Sequence, residues 1–150
     1  VFFKDLIGSD QIVLGFRAAD KTQALVEATR RVSTRLGIDP SAVLQTILAR
    51  EQMGSTGLGR GFALPHARIS GVGKASGFLM RLARPIEYEA IDRQLVDIVF
   101  LLVMPDEKSG EQMAALASVA RSMRREESLA AIRRAKTAAG LFDYLVSLEG

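Results

Sequence analysis

The chain has 150 residues, 48% of them hydrophobic and 25% charged, with no cysteine, one histidine and a net charge of +3. That length suits one domain over 1–150 with a buried core, and the composition is that of a globular protein rather than a disordered one. Without cysteine there is no disulfide, thiolate metal centre or cysteine nucleophile, and a single histidine excludes a multi-histidine metal site.

Gln11 to Phe16 reads as a short strand. Asp20 then has the character of a helix N-cap with Gln23 three positions on, and the helix behind it sets Leu25, Ala28, Val32 and Leu36 on one face before stopping at Gly37. Asp39 caps a second helix with Pro40 at its first position and an apolar face of Val43, Leu44, Ile47 and Leu48, ending near Arg50-Glu51. Gly54 to Gly61 holds four glycines in eight residues and predicts a loop. Phe62 to Ile69 reads as extended, interrupted by Pro65, and Gly77 to Ala83 as a second strand after the turn residues Gly71 to Lys74, so the two are expected to form a hairpin. Leu95 to Met104 has the unbroken apolar character of a strand buried on both faces, ended by Pro105. Helices are predicted over Glu111 to Met123, over Ser128 to Ala135, and after Thr137, the last bearing Leu141, Tyr144, Leu145 and Leu148. This order predicts an α/β sandwich with helices packed on a central sheet.

The longest apolar run, Ile98 to Met104, is far short of the roughly 20 residues that cross a bilayer, so no membrane insertion is expected. Lys4, Asp5 and Asp10 break the opening apolar residues and leave no signal-peptide pattern, which predicts a cytoplasmic protein. The basic pairs Arg30-Arg31, Arg124-Arg125 and Arg133-Arg134 are spread over three segments, and the last two, close to acids or on helical patterns, favour a reading as solvated helix faces; no nucleic-acid partner is expected, and steep salt-dependent binding to DNA or RNA would be needed to support one.

The glycine-rich stretch invites a test for nucleotide motifs. Gly54 and Gly59 have Walker A spacing, but Arg60-Gly61 follow and Pro65 blocks an immediate helix; Gly57, Gly59 and Gly61 lack the dinucleotide-fold spacing. His66 stands out instead, five residues past the loop and directly after Pro65. An imidazole, ordinarily titrating near pH ~6.5, offers a neutral nitrogen nucleophile. Arg50 supplies a permanent anion clamp, and Ser55, Thr56 and loop N–H groups can hold phosphoryl oxygens. Together they outline a phosphohistidine site.

The run from Arg50-Glu51-Gln52-Met53 through Gly54-Ser55-Thr56-Gly57-Leu58-Gly59-Arg60-Gly61 to Phe62-Ala63-Leu64-Pro65-His66-Ala67 resembles the signature of the fructose/mannitol-type enzyme IIA domains of the bacterial phosphotransferase system. The likeness extends over nearly the whole chain, including Arg84-Pro85-Ile86 and Ala90-Ile91-Asp92, and is greatest to the nitrogen-regulatory IIA branch. It implies a central mixed sheet of about five strands with helices on both faces. It implies that His66 accepts a phosphoryl group through Nε2 from an HPr-like phosphocarrier, that Arg50 neutralises the transferring group, and that Ser55, Thr56 and Gly57 border it. Many members carry a second histidine in the helix after the buried strand; Gln112 aligns there, and it can donate a hydrogen bond but no titrating charge. Exchange of one P–N bond for another requires no cofactor, and no carboxylate cluster for magnesium or another metal is evident. The branch implies a regulatory phosphocarrier whose targets include sensor kinases, potassium transporters or stringent-response enzymes. The alternative is a sugar-transport IIA subunit passing phosphate from His66 to a IIB partner.

Overall fold

A computed structural model of the chain describes residues 3–107 and 110–148. The helices start where the capping residues dictate. After a short helix α1 (Phe3–Leu6), a 3-10 turn and strand β1 (Ile12–Phe16), helix α2 (Lys21–Leu36) begins with the Asp20 carboxylate accepting from the Gln23 N–H at 2.8 Å. It ends on Gly37 in the left-handed region (φ 69°). Asp39 caps α3 (Pro40–Gln52) by accepting from the Ser41 N–H at 3.0 Å. The Thr137 hydroxyl does the same for the last helix, α6 (Ala138–Ser147), accepting from the Gly140 N–H.

Between these helices lie β2 (Gly57–Gly59), β3 (Phe62–Ala63), β4 (His66–Ile69), β5 (Ser76–Ile86) and β6 (Val96–Pro105), followed by α4 (Gly110–Met123) and α5 (Glu126–Arg134). One mixed sheet runs in the order β1-β5-β6-β3-β2, with β4 also pairing β6. The expected sandwich of helices on both faces of a mixed sheet is what the chain forms. Successive residues of β6 point to opposite faces. Val99, Leu101 and Val103 pack with Leu25, Ala28 and Val32 of α2 and Val43 and Ile47 of α3. Ile98, Phe100, Leu102 and Met104 pack with Val119, Ile132, Leu141 and Leu145 of the later helices. Burial on both faces is why this segment carries no polar alternation.

The strand pairing departs from expectation in two places. The segments Phe62–Ile69 and Gly77–Ala83 do not form a hairpin: β6 inserts between them, so that Leu102 pairs His66 in parallel on one side and Gly77 antiparallel on the other. A strand apolar on both faces takes the centre, where both edges of its backbone are also satisfied. The glycine-rich stretch is only in part a loop, since β2 turns back on β3 through Arg60-Gly61 as a short antiparallel pair. At the far side, Arg81 of β5 donates to the carbonyls of Ile132 (2.9 Å) and Ala135 (2.7 Å) and so closes the C-terminal end of α5.

Candidate functional site

His66 opens β4 immediately after Leu64-Pro65, the break that separates β3 from β4. Its ring is half-buried, and Nδ1 lies 2.9 Å from the Leu64 carbonyl oxygen. A carbonyl only accepts, so Nδ1 carries the proton in the neutral ring and Nε2 keeps its lone pair. Leu64 is itself held, its N–H donating to the Thr56 carbonyl at 2.9 Å. The histidine is therefore orientated by the same backbone that borders the glycine-rich segment.

The ring faces a cavity of about 230 Å³. Arg50, Ser55, Thr56 and Leu58 line one side; Met113, Leu116, Ala117 and Ala120 of α4 line the other. Arg50 sits in the last turn of α3 and its Nη1 donates to the Gly54 carbonyl at 2.7 Å, which pins a guanidinium at the cavity wall. Thus four of the expected residues meet in one place although Arg50 lies on α3, Ser55 and Thr56 between α3 and β2, and His66 on β4.

Ser55, Thr56 and Gly57 are bonded inward. The Ser55 hydroxyl donates to the Tyr88 carbonyl at 3.0 Å and accepts from the Gly57 N–H at 3.0 Å. Thr56 donates through its N–H to Glu51 Oε1 at 3.1 Å and through its hydroxyl to Glu51 Oε2, while the Tyr88 hydroxyl lies 3.1 Å from Thr56 Oγ1. Because the Thr56 proton goes to Glu51, the Tyr88 hydroxyl is the donor in its contact with Thr56. Burial, reinforced by the Glu51 charge, pushes the Tyr88 phenol well above its ordinary pKa and keeps that proton in place. Lys21 completes the set, 3.0 Å from Glu51 Oε1 and 4.3 Å above the Tyr88 ring. The Glu51 side chain is only 5% exposed, so Lys21 and Thr56 take the place of water around its carboxylate.

Gly57 is required by space: a Cβ there would stand 2.7 Å from the Ala90 Cβ and 2.8 Å from its Cα. The close approach lets the loop carrying Tyr88 to Ile91 buttress the cavity wall, with the Ile91 N–H donating to the Gly57 carbonyl at 3.1 Å. Sequence reasoning did not single out Glu51, Lys21 or Tyr88. Glu51 adjoins Arg50 and was within reach of inspection; Lys21 and Tyr88 arrive from distant segments with no local signal.

Gln112 is not brought to the histidine. It is buried on α4 with Ala115, Val119 and Met123, and lines a separate pocket with Asp5, Lys74 and Glu111. Met113, one residue on, occupies the cavity side, because consecutive helical residues diverge by roughly 100° about the axis.

The described residues include no helix long and apolar enough to cross a membrane. The family model for the phosphoenolpyruvate-dependent sugar phosphotransferase system, EIIA 2, matches residues 5–147. The nitrogen regulatory protein of Bradyrhizobium diazoefficiens is 33% identical over 141 residues, covering 94% of this chain and 92% of its own. The crystal structure of the nitrogen regulatory protein IIA-Ntr from Neisseria meningitidis superposes with a TM-score of 0.88 at 28% identity, covering 95% and 97% of the two chains. The Escherichia coli mannitol IIA, solved in complex with phosphorylated mannitol IIB, shares the fold with a TM-score of 0.77 at 16% identity over 95% and 98%.

Proposed function

The chain belongs to the EIIA 2 family of the phosphoenolpyruvate-dependent sugar phosphotransferase system, and on that premise we propose that His66 is its phosphoryl acceptor, charged by an HPr-like phosphocarrier. The observation that carries this reading is the Nδ1–H bond to the Leu64 carbonyl, which leaves the Nε2 lone pair available at the cavity. In the transfer, Nε2 forms a bond to phosphorus as the donor's P–N bond breaks, and that electron pair returns to the donor's ring nitrogen. One P–N bond replaces another, so the protein contributes position and charge rather than driving force. Arg50, held against Gly54, neutralises the phosphoryl oxygens; Ser55 and Thr56 form the wall against which they rest, and Gly57, packed on Ala90, supports that wall from behind.

Protein-to-protein transfer also needs a docking surface. Met53 at the end of α3 is 84% exposed, Ile91 beside Gly57 82%, and Met113 at the cavity 54%, three large apolar side chains on the elements that build the site. Likeness to nitrogen regulatory proteins favours a phosphocarrier that acts on regulatory targets, such as sensor kinases, potassium transporters or stringent-response enzymes, according to its charge state. Phosphorylation places a strongly anionic group on the ring, so a target surface that fits one state rejects the other. A second reading is favoured by the mannitol IIA, which is solved with phosphorylated IIB: His66 would pass its phosphoryl group to a IIB protein. Onward transfer to a sugar-specific IIB, with sugar phosphorylated as a result, would select that reading.

The presence of one histidine makes the ring chemistry directly legible. In ¹⁵N spectra of the imidazole recorded with the ring neutral, Nδ1 is expected to carry the proton. After incubation with a phosphorylated HPr-like carrier, the phosphorus coupling should appear on Nε2. Coupling to Nδ1, or a neutral ring protonated on Nε2, would remove the proposed geometry.

A further inference from the structure

The positive charge of the chain is concentrated in one stretch. Residues 121–136 hold six basic side chains against two acidic ones, a balance of +4, whereas the rest of the chain has fourteen against fifteen, or −1. This stretch comprises the end of α4, all of α5 and the link to α6. With the β2–β3 turn it encloses a groove of about 700 Å³ lined by Arg60, Arg133 and Arg134, by Leu129 and Ala130, and, among the described residues, by a single carboxylate, Glu126.

The arginines of the groove differ in what holds them. Arg133 is bound by Asp97, Nε to Oδ2 at 2.9 Å and Nη2 to Oδ1 at 2.8 Å. Arg60 and Arg134 are exposed and form no ion pair among the described residues. Arg60 also occupies the left-handed backbone region (φ 59°), where glycine or asparagine is accommodated more cheaply. Its backbone is clamped from both sides: the N–H donates to Asp92 Oδ2 at 2.9 Å, and the carbonyl accepts from Arg133 Nη2 at 2.7 Å. The fold thus spends two charged side chains to hold a long cation where a short residue is preferred, and its guanidinium Nη1 extends to the Arg124 carbonyl at 3.4 Å.

The groove adjoins the phosphoryl site without sharing its chemistry. Leu58 lines the His66 cavity and Arg60, two residues on, lines the groove; Ala120 of α4 lines the cavity and Arg124 lies one turn beyond it. We propose that the groove receives an acidic segment of a protein partner, with carboxylates on Arg60 and Arg134 and an apolar side chain against the partly exposed Ala130. Charge complementarity selects the anion, and Ala130, partly exposed in the groove, gives a polypeptide side chain an apolar contact that a phosphate backbone cannot use. Among the described residues, no aromatic side chain lines the groove to stack a base. The assignment does not depend on phosphoryl acceptance at His66.

The test is fluorescence anisotropy with a labelled Glu-Glu-Leu repeat peptide at about 0.15 M salt, with a single-stranded oligonucleotide of equal charge as competitor. Arg60→Asn, which keeps a residue suited to the left-handed backbone, and Arg134→Gln should each weaken peptide binding roughly fivefold. Arg30→Gln, on α2 across the sheet, should leave it unchanged, and Arg60→Asn should still accept phosphate at the wild-type rate. Absence of peptide binding, equal affinity in the Arg60 and Arg134 variants, or stronger binding of the oligonucleotide through the same arginines would each overturn the proposal.

Discussion

Arg50→Ala should slow phosphoryl transfer to His66 about a hundredfold, the cost of removing one charged donor from a developing anionic centre. The effect belongs to the rate because the guanidinium is at the cavity wall and contributes little to the core; Nη1 donates to the Gly54 carbonyl at 2.7 Å. The midpoint of thermal unfolding is therefore expected within a degree or two of wild type. Arg50→Lys should recover only part of the rate, since an ammonium keeps the charge but loses the planar fork that reaches Gly54 and a phosphoryl oxygen together. Single-turnover transfer from a phosphorylated carrier, followed by quench and mass measurement, reads the rate. A wild-type rate in Arg50→Ala would remove this residue from the transfer step.

The second large effect is on stability. Glu51→Ala takes away a carboxylate that accepts the Thr56 N–H and hydroxyl and pairs with Lys21 at 3.0 Å. Breaking a buried, hydrogen-bonded charge pair by deleting one partner costs on the order of 3 kcal/mol. Lys21 retains some access to water, which moderates the loss, but the Thr56 donors and Tyr88 hydroxyl beneath it do not. A fall of roughly 6–12 °C in the unfolding midpoint is expected for a chain of this size. Glu51→Gln preserves an acceptor for Thr56 while losing the charge, and should fall about a third as far. Identical midpoints for Glu51→Ala and wild type in calorimetry would contradict the role assigned to this network.

These two residues, adjacent in the chain, show where the sequence was legible. The helices could be read because their caps are local: Asp20 with Gln23, Asp39 with Pro40, and Thr137 all act within a few residues. The both-faced burial of β6 was written in its own apolar run. Strand partnership was not, because β5 pairs β1 more than sixty residues away and β6 enters between segments that look like a hairpin when read alone. Arg50, Ser55, Thr56 and His66 could be grouped from a contiguous signature. Gln112 illustrates the limit of positional alignment on a helix, where one residue of displacement exchanges the cavity side for the core and puts Met113 at the site. Lys21 and Tyr88 were invisible for the opposite reason: each is unremarkable locally, and only folding brings them onto Glu51.

The measurement closest to the central claim is the intact mass of the protein after incubation with a phosphorylated HPr-like carrier, with His66→Ala alongside. Wild type should gain one phosphoryl group that is lost in acid, as expected of a P–N bond, and His66→Ala should gain none while unfolding as cooperatively as wild type. Equal addition to both proteins, or no addition to wild type from a carrier active on another IIA protein, would contradict the assignment of His66 as the phosphoryl acceptor.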